Sequence, residues 1–372
     1  MASSAGTRSW LEDLAGAPLP SRRHEDWRFT NLEALTTLDP QLIVGVDPLQ
    51  WVVLPAGVER LSAAAAEPWL GRALAATDCA DHWPVCLQGS GRADAAVPLL
   101  ALKVSGAAAA LEIPLEAGSH VGLARFRLLL VLEAGASLEL LLRPSSGAAN
   151  GLSLVSEVIL EADAHLKLNN LAIGAPGSAL LQHTAVVQAP GSRFEHTAVC
   201  AGWSLARQEP RIMQPQGAAC TRLRGLQLCR DQQLVDTHSW VRFDGPEGQL
   251  DQLHKAVADD QGRSVFNGAV RVPRAAQRTH AAQLSRSLLL SDRARIDTKP
   301  ELEIVADDVR CAHGATVSRL QADELFYLQS RGIAAADAAQ LLQRAFCEEV
   351  LRELPGSATA ALRSLLVGKG SS

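Results

Sequence analysis

Leu132-Glu133-Ala134-Gly135-Ala136-Ser137-Leu138 recurs as Leu160-Glu161-Ala162-Asp163-Ala164-His165-Leu166, and Gln188-Ala189-Pro190-Gly191-Ser192-Arg193-Phe194 follows at the same interval. The intervals are 28 residues each, with a shorter one of 17 from Leu115 to Leu132. Around these copies, Arg125-Phe126-Arg127-Leu128 and Ser137-Leu138-Glu139-Leu140 read as strands, punctuated by Gly and Asp. A period of this size marks a solenoid, because one rung cannot bury its apolar face until a neighbour stacks on it. Strand-rich rungs suit a parallel β-helix. The alternative on the repeat alone is a β-sandwich with chance similarity between strands. A sandwich core usually wants more aromatics than this section has: Phe126, Phe194, Trp203, Trp240, Phe243 and Phe266 are all that occur between residues 101 and 310.

The whole chain has 372 residues, 47% of them hydrophobic and only 4% aromatic, which argues for a core of repeated aliphatic layers. That length needs no disulfide staples. Lys plus Arg is 35 and Asp plus Glu is 40, a net charge of −5, so nucleic acid and anionic membrane are poor partners. The longest stretch without formal charge, Leu168 to Ser192, carries Asn169, Asn170, Pro176 and Pro190, which are costly in lipid. Glu12 and Asp13 arrive with no apolar segment before them, unlike a signal peptide, so a reducing cytoplasm is expected. Seven cysteines, an odd number, then read as free thiols or metal ligands.

Five of the seven tryptophans (Trp10, Trp27, Trp51, Trp69 and Trp83) precede residue 84. Residues 1–99 read as a mostly helical region, residues 100–316 as the β-helix and residues 317–372 as a C-terminal helical region. There, Asp323 starts one helix and Gly332 stops it. Ala338, Leu341, Leu342, Ala345 and Phe346 make the apolar stripe of a second. Ala361, Leu362, Leu365 and Leu366 suggest a third.

Several chemistries are missing. Gly368-Lys369-Gly370 lacks the hydroxyl of a phosphate loop, and Gly89-Ser90-Gly91 is followed by Asp94 instead of the third glycine of a dinucleotide fingerprint. Cys79, His82 and Cys86 lack a nearby fourth metal partner, and packing or surface roles are expected for them. Asp259-Asp260 and Asp307-Asp308 raise the possibility of a β-helix carbohydrate-active enzyme. Adjacent carboxylates on a strand face opposite ways, so neither pair serves as acid and base on one sugar, and turn roles are expected. The better candidate is Asp307-Asp308-Val309-Arg310-Cys311-Ala312-His313-Gly314. On a strand, Val309, Cys311 and His313 share one face, which sets a thiolate beside an imidazole, the ligand types of iron and iron–sulfur units. The alternative is that Cys311 packs as a small hydrophobe and His313 is a core or rim histidine.

Leu302-Glu303-Ile304, Asp307-Asp308-Val309-Arg310-Cys311, His313-Gly314-Ala315-Thr316, Phe326-Tyr327-Leu328 and Ser330-Arg331-Gly332-Ile333 closely resemble the C-terminal signature of the SufD proteins, in the SufB/SufD family. Pro20, Glu25-Asp26-Trp27-Arg28-Phe29-Thr30 and Leu32 resemble its N-terminal signature. Ala312 stands where the family usually has Ser, and Ser318 where it often has Gly. His313-Gly314-Ala315 favours SufD over a SufB-type scaffold, which usually reads His-Glu-Ala. The resemblance implies a mainly β fold, a right-handed parallel β-helix flanked by N-terminal and C-terminal α-helical regions. It implies a non-enzymatic subunit of the Suf iron–sulfur cluster assembly complex that supports iron acquisition. The partners implied are SufB, through the β-helix, and the SufC ATPase, through the C-terminal helices, with a homodimer for the isolated chain. His313 and Cys311 resemble the pair at the SufB–SufD interface where clusters form. Phe326, Tyr327, Arg331, Leu341, Leu342 and Phe346 fall in the SufC-engaging region. No cofactor is expected to stay on the isolated chain, with iron or a nascent cluster held only in the complex.

Overall fold

The computed structural model describes residues 9–43, 45–88, 97–117, 121–147, 149–359 and 362. The N-terminal segment contains α1 (Trp10–Ala15), α2 (Glu33–Thr36), β1 (Leu42–Ile43), β2 (Val58–Arg60), α3 (Ala63–Ala66), α4 (Arg72–Ala76) and α5 (Trp83–Cys86). Single 3-10 turns lie at Glu25–Trp27 and Pro48–Gln50. The helices are only four to six residues long. Helices this short are not stable by themselves and take their stability from packing.

Sixteen strands follow: β3 (Leu99–Val104), β4 (Leu111–Glu116), β5 (Gly122–Leu132), β6 (Ser137–Ser145), β7 (Asn150–Leu160), β8 (His165–Ile173), β9 (Ala179–Gln188) and β10 (Arg193–Ala201), then β11 (Leu205–Gln214), β12 (Cys220–Cys229), β13 (Leu234–Phe243), β14 (Gln249–Ala258), β15 (Arg263–Val272), β16 (His280–Leu289), β17 (Arg295–Ile304) and β18 (Arg310–Arg319). Odd strands from β3 to β17 stack in parallel as one sheet, which β1 and β2 extend, and even strands from β4 to β18 stack as the second. The result is a parallel β-solenoid of about seven turns.

The 28-residue interval is the ladder register. Leu132 pairs with Leu160 and Leu160 with Gln188 on the odd sheet, while Ser137 pairs with His165 and His165 with Arg193 on the even sheet. The 17-residue interval is not a rung. Leu115 pairs with Pro144 on the even sheet, and Leu132 lies on the odd one, so that step crosses between sheets. What repeats most faithfully is the corner: Gly135, Asp163 and Gly191 all hold φ between 60° and 74°. Gly adopts this left-handed backbone freely and Asp tolerates it. Gly191 has a second reason, since a Cβ there would sit 2.0 Å from Asp163 Oδ1 of the rung below. Asp260 occupies another left-handed corner at φ 52°, and Asp307-Asp308 lie in the turn before β18. Both acidic pairs are therefore turn residues.

Between the sheets runs an apolar core including Leu100, Ile113, Phe126, Leu154, Leu166, Phe194 and Phe243. The aliphatic layers are there as expected, but inward positions of the middle and later rungs also carry hydrogen-bonded amides and hydroxyls. Gln182 Oε1 accepts from Asn170 (2.8 Å) and Gln208 (3.1 Å), and Gln252 donates to Ser239 (2.7 Å) while accepting from Gln283 (2.9 Å). These hydrogen bonds offset much of the cost of burying the amides, while Asn170 Oδ1 and Gln283 Oε1 are left without a partner.

Each sheet's outer face is covered separately. Leu11, Trp27, Leu35, Trp83 and Leu87 of the N-terminal segment pack on Leu123, Ala179, Leu181 and Leu205 of the odd sheet. At the other end, α6 (Ala322–Ser330) is followed by Gly332 at φ 86°, and then by α7 (Ala335–Leu351). Residues 356–359 are again helical and Leu362 is buried, while Ala361, Leu365, Leu366, Gly368-Lys369-Gly370 and Gly89 to Asp94 lie outside the described residues. Cys347, Val350, Leu351, Leu354 and Leu362 cover Leu171, Val199, Leu226, Leu253 and Val257 on the even sheet. The buried face of α7 thus lies largely opposite the stripe seen in the sequence. Ala338 is buried, but Leu341 and Ala345 face solvent, and Leu342 and Phe346 are half-buried.

One buried cation fastens α7. Lys255 Nζ donates to the Phe346 carbonyl (2.7 Å), pairs with Glu349 (2.6 Å) and lies 4.6 Å from the centre of the Phe346 ring. The hydrogen bond from Lys255 is the main reason that the Glu349 carboxyl titrates below its ordinary range. Lys255→Met should cost about 1–3 kcal/mol, concentrated at α7. Hydrogen exchange should show α7 amides opening faster with the solenoid strands unchanged; equal protection of α7 in both proteins would contradict this.

Candidate functional site

The final rung is open. Among the described residues β17 pairs only with β15 and β18 only with β16, so one edge of each strand has no ladder partner. On β18, Cys311 packs at the margin of the inner core while Gly314 faces Leu284 outside, which is the alternation expected of this stretch. His313 stands in register with Gln283, whose side chain bonds inward to Gln252, so the imidazole occupies the inner side of the solenoid's open end. It is exposed, with no further rung over it among the described residues. Cys311 is half-buried, and burial pushes its thiol pKa up, so the free sulfur carries a proton. Binding metal there means displacing that proton.

The C-terminal helices present a second surface. None of the residues of α6 is buried, and Phe326 and Tyr327 are 72% and 58% exposed. The Arg331 guanidinium lies 5.4 Å from the Tyr327 ring centre. Leu341 adds an exposed apolar side chain from α7, whereas Phe346 is engaged by Lys255.

A third, buried arrangement joins the N-terminal segment to the odd sheet. Arg207 donates from Nε to Glu209 (2.5 Å) and from Nη1 to Asp236 (2.7 Å) and the Asp26 carbonyl (2.8 Å), with Trp27 stacked 3.8 Å from its guanidinium carbon. Thr30 also donates to Asp236. Burial opposes ionisation of both carboxyls. Arg207 and its neighbours outweigh it, holding Glu209 well below its ordinary value, while His238 and Arg207 hold Asp236 low. Asp26, Trp27 and Thr30, three residues of the N-terminal signature, thus act as the clasp on the solenoid.

All seven cysteines are free. Cys79 Sγ rests against Thr77 Oγ1 (3.0 Å) and Cys86 Sγ against the Asp81 carbonyl (3.6 Å), so neither meets His82 as a ligand set. His82 instead meets His183 and Glu209, an association the sequence reading did not find.

The description of a known domain, the SufBD core domain of SUF system FeS cluster assembly, matches residues 116–346, from the end of β4 through β18 and α6 into α7. The chain belongs to the SufBD family. Both Cys311 and His313 lie inside the matched stretch; the N-terminal clasp lies outside it. Among SufBD relatives, an iron–sulfur cluster assembly SufBD family protein of Synechocystis is 42% identical over 55% of this chain and 45% of its own length. The chloroplastic protein ABCI7 of Arabidopsis thaliana is 42% identical over 54% of this chain and 42% of its own length. The match thus spans under half the length of those two relatives. The iron–sulfur cluster assembly protein SufD of Escherichia coli is 29% identical over 92% of this chain and 87% of its own length. No helix among the described residues is long and apolar enough to cross a membrane.

Proposed function

We propose that this SufBD-family chain is a non-enzymatic, cytoplasmic subunit of a SufB–SufC–SufD cluster assembly complex. It pairs with a SufB-type partner through β17 and β18 and docks the SufC ATPase through its C-terminal helices. The observation that carries this reading is the open rung: among the described residues the last strands have no ladder partner on one side, and such an edge is a template for strand addition. His313 sits on that edge with Cys311 two residues away on the same face. Two ligands leave a tetrahedral iron two short, and a facing chain supplies the remainder. The exposed Phe326, Tyr327, Arg331 and Leu341 support SufC docking, since large apolar side chains gathered on one surface mark partner sites. Movement of ATP-bound SufC subunits, passed through α6 and α7, then opens or closes the rung around His313, and iron is acquired as cargo at that interface.

Co-expression with SufB and SufC tests this. The three chains should co-purify, and His313→Ala should leave the complex assembled while lowering its iron incorporation roughly tenfold or more. Normal cluster maturation by that variant would remove His313 from the site, and failure to co-purify would remove the complex itself.

A further inference from the structure

We infer that His82, His183 and Glu209 form a site for a divalent transition-metal ion of the zinc or ferrous-iron type, binding the N-terminal segment to the solenoid. The inference goes beyond the proposed role at the open rung and does not depend on it. His183 on β9 and Glu209 on β11 are ladder partners, so the solenoid register itself places an imidazole beside a carboxylate on the outer face of the odd sheet. Opposite them, His82 stands at the residue before α5, which packs on the same sheet through Trp83. The ladder from β11 to β13 is interrupted at Glu209 and Pro210, where proline has no N–H to give.

The donor set and its spacing fit an ion, with His82 Nδ1 and Glu209 Oε2 also within hydrogen-bond reach of each other at 3.3 Å. His82 Nδ1 and His183 Nδ1 converge on the same carboxylate oxygen, Glu209 Oε2, at 3.3 and 3.5 Å. Donors held about 2.1 Å from one tetrahedral ion stand about 3.4 Å apart. All three ligand atoms lie within 4.8 Å of one another. His183 is fully buried; its Nε2 has no hydrogen-bond partner and its Nδ1 has only the long 3.5 Å contact with the Glu209 carboxylate, an arrangement that is costly unless something else occupies Nδ1. The other carboxylate oxygen, Oε1, is taken by Arg207, which orients Glu209 as partners behind metal ligands commonly do. Two imidazoles and one carboxylate are the protein ligands of many zinc and ferrous sites, which leave a further position open. Here a cavity of about 300 Å³, lined by Asp26, Asp78, Arg207 and Arg211 along with His82 and Glu209, gives access from solvent.

The test uses the full chain, stripped with a chelator and titrated with Zn²⁺ by calorimetry and Co²⁺ by visible absorption. A single equivalent should bind, with the d–d bands of a nitrogen- and oxygen-ligated Co²⁺, and Zn²⁺ should raise the thermal midpoint. His82→Ala, at the half-buried end of the site, should keep the native circular dichroism and bind at least tenfold more weakly, without the thermal shift. His183→Ala should do the same, and His165→Ala, a surface histidine elsewhere on the solenoid, should behave as the parent. Absence of saturable binding in the parent chain, or parent-like affinity in His82→Ala, would overturn the site.

Discussion

Replacing Arg207 by Met should cost roughly 3–5 kcal/mol, the usual range for removing one partner of a buried ion pair. The guanidinium is almost fully buried and answers two carboxylates on neighbouring rungs, Glu209 on its own strand and Asp236 on β13. Burial opposes the charge on Arg207, yet Glu209 and Asp236 hold its pKa above the ordinary arginine value. Methionine fills similar volume but leaves both carboxylates buried without their cation. They then either stay charged at high cost or take up protons more readily than in the parent. The loss should be read first in the N-terminal segment, because Arg207 also holds the Asp26 carbonyl and the face of Trp27. Limited proteolysis should cut before β3 while the solenoid resists, and tryptophan emission should shift to the red. Arg207→Lys keeps the charge but loses the fork that serves two carboxylates, so it should fall between the two. A methionine variant with parental stability and an intact N-terminal segment would show that the carboxylates do not need this cation.

The solenoid was legible because its corners impose a backbone requirement that few residues meet. Gly135, Asp163 and Gly191 recur at the ladder register, and the strands between them alternate. The same logic put Val309, Cys311 and His313 on one face and the paired aspartates in turns. Where reading failed, the sequence pattern was ambiguous about the partner. The 17-residue interval matched two apolar strand ends without indicating that they lie on different sheets. In α7, Leu341, Leu342 and Ala345 form a stripe as regular as the buried one, because this helix has two apolar sides and only one meets the solenoid. The polar interior was hidden because Gln, Ser and Thr at inward positions look like ordinary solvent-facing residues until their partners one rung away are known. The grouping of His82, His183 and Glu209 was invisible for a similar reason. His183 and Glu209 are one rung apart, but rung lengths vary after β9, and His82 arrives from a segment without periodicity. A search for titratable residues at rung spacing would have found the first two.

The polar interior carries a measurable consequence at acid pH. His196 on β10 shares the inward face with Phe194, against which its ring is stacked at 5.9 Å, and His254 on β14 stacks on Phe266 at 4.1 Å. Burial alone pushes His196 down to about 4, and burial pushes His254 down to about 3 despite a small opposing influence from Asp236. In the unfolded chain both titrate near the ordinary value of about 6.5. Below that pH the unfolded chain takes up protons that the folded chain refuses, so each histidine lowers stability as pH falls, from about 6.5 down to its folded pKa. Between pH 7 and pH 4.5 the pair should remove on the order of 5 kcal/mol. The depressed carboxylates have the same sign but a different window. Glu209 and Asp236 stabilise the fold above their unfolded pKa values and lose that contribution only at lower pH. The two windows separate the causes. Replacing both histidines by Gln, which suits the amide-lined interior and cannot be protonated, should lower stability at pH 7 by about 1–2 kcal/mol. It should flatten most of the decline between pH 6.5 and pH 4.5, leaving the steeper fall below pH 4 in place. Urea denaturation followed by circular dichroism across that range measures the slope directly. A double variant that declines as steeply as the parent above pH 4.5 would place the acid sensitivity in other groups.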